Sequence, residues 1–225
     1  MTVKNKPPFR YDIVGSFLRP AALKEKREAF AAGTITAADL KAAEDEAIRD
    51  LVAKEKEVGL RAVTDGEFRR RYWHLDFLTE LEGVTEISAE NWSVHFKGAQ
   101  PKARTAKITG PISFGSHPFL DHFRFLKEAA GDTLAKMTIP SPSMLHLICC
   151  VREKHYEPIP QYQDQNRLFT DIALAYQPSG PSTPPAAGTC SWMTPAGVNS
   201  ATQTSGKPMQ NGALTWMNWP ITMWI

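Results

Sequence analysis

Three short segments gather residue types that could do chemistry. The first, Val14-Gly15-Ser16-Phe17-Leu18-Arg19, offers a backbone that a ligand can approach at Gly15, a hydroxyl at Ser16 and a guanidinium at Arg19 suited to a carboxylate or phosphate. The second, Thr64-Asp65-Gly66-Glu67-Phe68-Arg69-Arg70, sets two carboxylates beside a glycine with a basic run behind them. The third, Thr109-Gly110-Pro111, reads as a strand ending in a forced turn. Each has a plainer meaning. Gly-Ser after a strand is commonly just a loop, Asp-Gly is a turn signal, and Glu67 could be solvated. Cys149 and Cys150 follow His146 closely enough to suggest a metal. Adjacent cysteines chelate one tetrahedral ion poorly, and buried free cysteine is common, so both are read as structural.

These segments make a site only if the chain brings them together. Residues 11–17 read as a strand, and 20–32 as a helix closed by Gly33. Thr36 opens a second helix with Asp39 as its acidic N3 partner. Leu40, Ala43, Ala47, Leu51 and Val58 recur at helical spacing until Gly59, and 60–64 is a strand. Strand, helix, strand implies a parallel pair with a right-handed connection. Residues 84–98 suggest an antiparallel excursion with Trp92, Val94 and Phe96 on one side. Residues 106–112 and 136–139 read as strands, and 117–130 and 163–176 as helices. The pattern favours an α/β barrel or doubly wound sheet, with about four strands for a parallel sheet. In both architectures ligands bind at the carboxyl ends of the strands, where the three segments lie.

Composition narrows the function classes. The 225 residues carry 26 Lys and Arg against 24 Asp and Glu, a net charge of +2, which argues against a nucleic-acid partner. No apolar run is long enough for a bilayer and no signal peptide is evident, so neither membrane nor export is expected. With only 3 cysteines, too few and badly spaced for a disulfide framework, the expected location is cytoplasmic. The averages hide a break: residues 178–225 hold one charged residue, Lys207, and no acidic one, yet contain Trp192, Trp216, Trp219 and Trp224. Linkers are poor in aromatics, and no strand or helix period persists there.

Taken together, Val14-Gly15-Ser16-Phe17, Val58-Gly59-Leu60 and Thr64-Asp65-Gly66-Glu67-Phe68-Arg69-Arg70 resemble the catalytic domain of the cobalamin-independent methionine synthase family, and more closely its short, single-domain relatives. Lys107-Ile108-Thr109-Gly110-Pro111-Ile112 and Pro140-Ser141-Pro142-Ser143-Met144-Leu145-His146 continue the match in order. The resemblance implies a (β/α)₈ TIM barrel, here partial, in residues 1–177. It implies transfer of a methyl group from 5-methyltetrahydrofolate or a related donor to homocysteine sulfur, giving methionine. By the same resemblance, Gly15, Ser16 and Glu67 hold the amino-acid end of homocysteine, Asp65 stands beside them, and Arg19, Arg69 and Arg70 are weaker candidates for the acidic tail of a folate. No group is assigned as catalytic.

The family also implies zinc, bound by His, Cys, Glu and Cys from the second half of the barrel. No matching ligand motif occurs in this chain, so no metal residue is assigned. The family continues with a strand of the type Gly-Cys-Arg-Tyr-Leu-Gln-Leu-Asp-Asp-Thr-Ser-Trp, where this chain has Gly188-Thr189-Cys190-Ser191-Trp192-Met193-Thr194. Trp192-Met193-Thr194 is encoded TGG ATG ACN, and one nucleotide back the internal triplets are GAT and GAC, Asp-Asp. The neighbouring residues permit the rest of that strand in the same frame. Residues 178–225 are therefore read as an irregular tail translated out of frame, and the chain alone is expected to be inactive. Two rivals remain: a related zinc-dependent thiol alkyltransferase with another thiol or donor, and a non-catalytic truncated fragment.

Overall fold

The structure is a computed structural model, and it describes residues 13–89, 104–152, 156–176, 188–194 and 197–201. Helix α1 (Ala21–Ala31) starts at Pro20, whose missing N–H costs nothing there, and stops before Gly33, which takes a φ of 73°. Helix α2 (Ala37–Glu57) opens with the expected reciprocal cap. Asp39 N–H donates to Thr36 Oγ1 at 3.2 Å, and Thr36 N–H donates to Asp39 Oδ2 at 2.9 Å. Strand β1 (Ala62–Val63) follows, then the short α3 (Leu75–Leu78), strands β2 (Glu82–Ser88) and β3 (Arg104–Ser113), helix α4 (Phe119–Ala130) and strand β4 (Leu134–Pro140). Helix α5 (Pro142–His146) runs into a π-turn at Leu147–Val151, and α6 (Gln165–Ala175) follows a 3-10 turn.

Two sheets organise these elements. β1 pairs in parallel with β4, Ala62 opposite Leu134, while β2 and β3 form a separate antiparallel ribbon. Helices α1, α2 and α4 cover the parallel sheet through Leu23, Ile48, Val52 and Leu126, which pack with Val63, Phe68 and Ala135. A second core, built on Phe77, Leu78, Ile108, Leu145, Leu168 and Ile172, joins the ribbon to α3, α5 and α6. Burying side chains of this size supplies the main driving force for both layers.

Four expectations need correction. Residues 13–17 form no strand, because Gly15 adopts a φ of 109°, outside the extended region. Residues 106–112 are a strand, but in the ribbon and not in the parallel sheet. Pro111 does not end that strand: β3 runs through it to Ser113, because the ladder shifts register between Glu82 and Val84, and a bulge accommodates a residue without an N–H. The tail is not wholly irregular. β5 (Gly188–Thr194) pairs in parallel with β4, Met137 opposite Cys190, and β6 (Gly197–Ala201) returns antiparallel to β5. Ladder bonds use backbone groups that every non-proline residue carries, so a segment without strand periodicity can still pair with an exposed edge. Trp92, Val94 and Phe96 lie outside the described residues.

Candidate functional site

The turn that leaves β1 is shaped by two successive left-handed residues, Gly66 (φ 66°) and Glu67 (φ 57°). Among the described residues Glu67 is the single non-glycine with positive φ. Asp65 holds it there: its Oδ1 accepts the Glu67 N–H at 3.0 Å, and the Phe68 N–H closes the turn onto the Asp65 carbonyl at 3.2 Å. The Glu67 side chain is buried, and its Oε1 accepts from Thr138 Oγ1 at 2.7 Å and from Arg70 Nη1 at 3.1 Å. Arg70 is also buried. It donates to the Thr138 carbonyl and to the Trp73 carbonyl, and its guanidinium lies 4.8 Å from the Phe119 ring centroid. A buried carboxyl group needs such compensation, and Arg70 and Thr138 supply it.

The Gly15-Ser16 segment is laid against this turn. Phe17 N–H donates to the Gly66 carbonyl at 3.1 Å, Thr64 Oγ1 lies 3.1 Å from the Gly15 carbonyl, and Lys136 of β4 reaches the Ile13 carbonyl. A Cβ at Gly15 would lie 2.8 Å from Thr64 Cγ2, so only glycine permits this approach. Gly15, Asp65 and Glu67 are buried and Ser16 is exposed. The structure thus brings all four together beside the carboxyl ends of β1 and β4. Sequence reasoning placed Asp65 and Glu67 at the end of the strand that is β1, but Gly15 and Ser16 at the end of a strand that residues 13–17 do not form.

Other candidates go elsewhere. Arg19 turns into the molecule and donates to the carbonyls of Glu67 (2.7 Å), Phe68 (3.2 Å) and Arg70, bracing the turn instead of presenting a guanidinium to an anion. Arg69 pairs with Glu44 and Asp45 of α2 and packs 4.9 Å from the Phe125 ring centroid. Thr109, Gly110 and Pro111 belong to the ribbon, where Thr109 meets Thr85 at 2.8 Å. A cleft of about 340 Å³ borders Arg70 and includes Arg71, Asp76 and His122, but Glu67 does not line it.

Sequence reasoning missed Thr138 and Lys136, for which alternation in a short buried strand carries no signal. It also missed Glu55, for which a signal existed: Leu51 and Glu55 are four apart on the apolar stripe of α2. Glu55 is 2% exposed and accepts the Thr64 N–H at 2.9 Å. Burial raises its carboxyl to about 7, opposed by the Thr64 hydrogen bonds.

Zinc does not fit the side chains in hand. Among the described residues, no group of three or more His, Cys, Asp or Glu could hold a metal ion. Cys149 is buried and its thiol is pushed well above the usual range by desolvation, which opposes the thiolate a metal requires. His117 is likewise structural. Its Nε2–H donates to the Phe77 carbonyl at 3.0 Å, its Nδ1 accepts the Phe119 N–H, and burial lowers its pKa to about 4. Among the described residues no helix is long and apolar enough to cross a membrane.

Fold and site first define a class: an α/β chain whose Gly-Ser loop and Asp-Gly-Glu turn meet beside parallel strand ends. Comparison with known proteins then supplies the relatives. The chain is 47% identical over 175 residues to YxjH, an uncharacterized protein of Bacillus subtilis, covering 77% of this chain and 44% of that protein. It is 29% identical over 131 residues to a methionine synthase of Sulfolobus acidocaldarius, covering 58% of this chain and 37% of that protein. A solved Listeria monocytogenes structure, described as a candidate vitamin-B12-independent methionine synthase, superposes with a TM-score of 0.61 at 44% identity, over 75% of this chain and 46% of that one. No protein-family model matches the chain. The chain is therefore a relative of the cobalamin-independent methionine synthases, and it spans less than half the length of the relatives it matches.

Proposed function

We propose that this chain carries the amino-acid-gripping part of a methyltransferase of the cobalamin-independent methionine synthase type. The reaction moves a methyl group from 5-methyltetrahydrofolate, or a related donor, to homocysteine sulfur. A sulfur–carbon bond forms as the donor's nitrogen–carbon bond breaks; the thiol gives up its proton, and the departing amine needs one. A free thiol has a pKa near ~8.5 and is mostly protonated at neutral pH, so the acceptor has to be activated. The described side chains offer no metal cradle for that step, and the reading assigns them binding alone. The chain by itself is accordingly taken as inactive.

Within this reading Glu67 receives the substrate ammonium through Oε2, since Oε1 already takes Thr138 and Arg70. The Gly15-Ser16 backbone and the Ser16 hydroxyl face the carboxylate. Arg19 serves as a positioning residue. One observation carries the reading: Glu67 alone among the described non-glycine residues is held left-handed, and buried, in a turn that a second loop covers. Such backbone outliers cluster at functional sites.

The test is homocysteine binding, followed by Trp73 fluorescence. Glu67→Gln is expected to weaken L-homocysteine about tenfold, equivalent to ~1.4 kcal/mol, while leaving a thiol acid without an amino group unaffected. Equal affinity of wild type and variant for L-homocysteine overturns the assignment.

A further inference from the structure

Thr64 lies between the two loops of the site and has more acceptors than hydrogens. Its hydroxyl oxygen is 3.1 Å from the Gly15 carbonyl and 3.1 Å from Glu55 Oε1, and it accepts the Gly66 N–H at 3.2 Å. A hydroxyl has one hydrogen, so it donates to the loop or to the helix carboxylate, not to both. Glu55 ionised draws that hydrogen, because a bond to a charged acceptor is the stronger one. The Gly15 carbonyl then loses its donor. Glu55 protonated reverses the pattern: the carboxyl O–H donates to Thr64 Oγ1, and the Thr64 hydrogen passes to Gly15. Only then are the hydroxyl's hydrogen and both lone pairs used.

We propose that Glu55 is a positioning residue for the Gly15-Ser16 loop, its proton deciding whether Thr64 clamps that loop to the Glu67 turn. The proposal rests on the reading above only in taking this loop as the substrate loop. The Thr64 side chain fills the space on the inner side of Gly15, where an added Cβ would meet Thr64 Cγ2 at 2.8 Å, so the lost bond is relieved by outward movement of residues 15 and 16. Two charged groups act on Glu55 from other elements. Asp65, in the turn, favours its proton, and Lys136, on β4, opposes it. Both are weaker than burial, and the balance places the titration at about 7.

The experiment is ¹H–¹⁵N NMR of the full chain between pH 5 and 9, with L-homocysteine affinity measured on the same samples. The Gly15 and Ser16 amides are expected to titrate together with Gly66 near neutrality. In Glu55→Gln, a neutral donor, they are expected to stay at their low-pH positions throughout. Thr64→Val is expected to abolish the titration and Thr64→Ser to keep it, which separates the hydroxyl's role from any folding defect. Wild-type affinity for homocysteine is expected to fall several-fold from pH 6 to 8, and that of Glu55→Gln to stay level. Amides that do not titrate, or that titrate equally in Glu55→Gln, overturn the proposal. Amides that titrate as expected in a chain that binds no homocysteine sustain it and count against the proposed function instead.

Discussion

Glu67 spends backbone energy, on the order of 1–3 kcal/mol for a left-handed non-glycine residue, in order to point a carboxylate at Thr138 and Arg70. The turn itself was legible from Asp65-Gly66-Glu67, because a carboxylate beside a turn glycine at a strand end is a recognisable pattern. Its partners were not, since Thr138 lies 71 residues away and only the parallel pairing of β1 with β4 brings it near. Arg19 shows the opposite failure. Its type suggested an anion, but a guanidinium has five donors, and three backbone carbonyls of the turn claim it. Glu55 makes a further prediction at this scale. Its folded pKa, about 7, exceeds the ordinary 4.5, so the native state holds the proton more tightly than the unfolded chain does. Its contribution to stability is therefore complete below pH 4.5 and is lost as pH rises toward 7, by on the order of 3 kcal/mol. Urea unfolding across that window is expected to show the loss in wild type but not in Glu55→Gln.

At the level of elements, α2 was the most readable part of the chain. Thr36 and Asp39 marked its start, and the stripe through Leu40, Ala43, Ala47 and Leu51 marked its buried side, which is centred on Ile48 and Val52, whereas Val58, read as part of that stripe, is exposed. The same stripe includes Glu44 and Glu55, and reading charged residues on an apolar face as anomalies would have found both. The β2–β3 ribbon was less readable, because a strand that bulges keeps no constant period. Gly83 is the reason the bulge closes: at φ 77°, its added Cβ would lie 2.3 Å from the Pro111 carbonyl oxygen and 2.5 Å from that of Gly110. Gly83→Ala is expected to destabilise the protein by roughly 2 kcal/mol or more, combining backbone strain with a clash. Loss of the Glu82–Ser113 pairing, detected by amide exchange at Ser113, would accompany it.

For the molecule as a whole, the parallel layer was legible as a class and not as a set of pairings. Of the four strands expected in it, those beginning near Leu60 and Lys136 are present, one became a loop and one joined the ribbon. The neighbour of β4 on its other side is β5, in the segment that looked least like a strand. We propose that residues 178–225 are translated out of frame, a reading supported by the absence of acidic residues there and by a curated match of 175 residues. The nucleotide sequence is expected to encode Arg-Tyr-Leu-Gln-Leu-Asp-Asp one base back from Gly188 to Thr194. Codons at Trp192 to Thr194 preceded by bases that cannot supply that run would exclude it.

The hairpin made by β5 and β6 has a bearing on how the parallel layer could grow. A cylinder of parallel strands grows by adding each newcomer in the same direction beside the last, yet the flank of β5 is taken by a strand running the other way. A further parallel strand could not zip onto that flank without first peeling β6 off, so extension of the layer there would begin with an unfolding step.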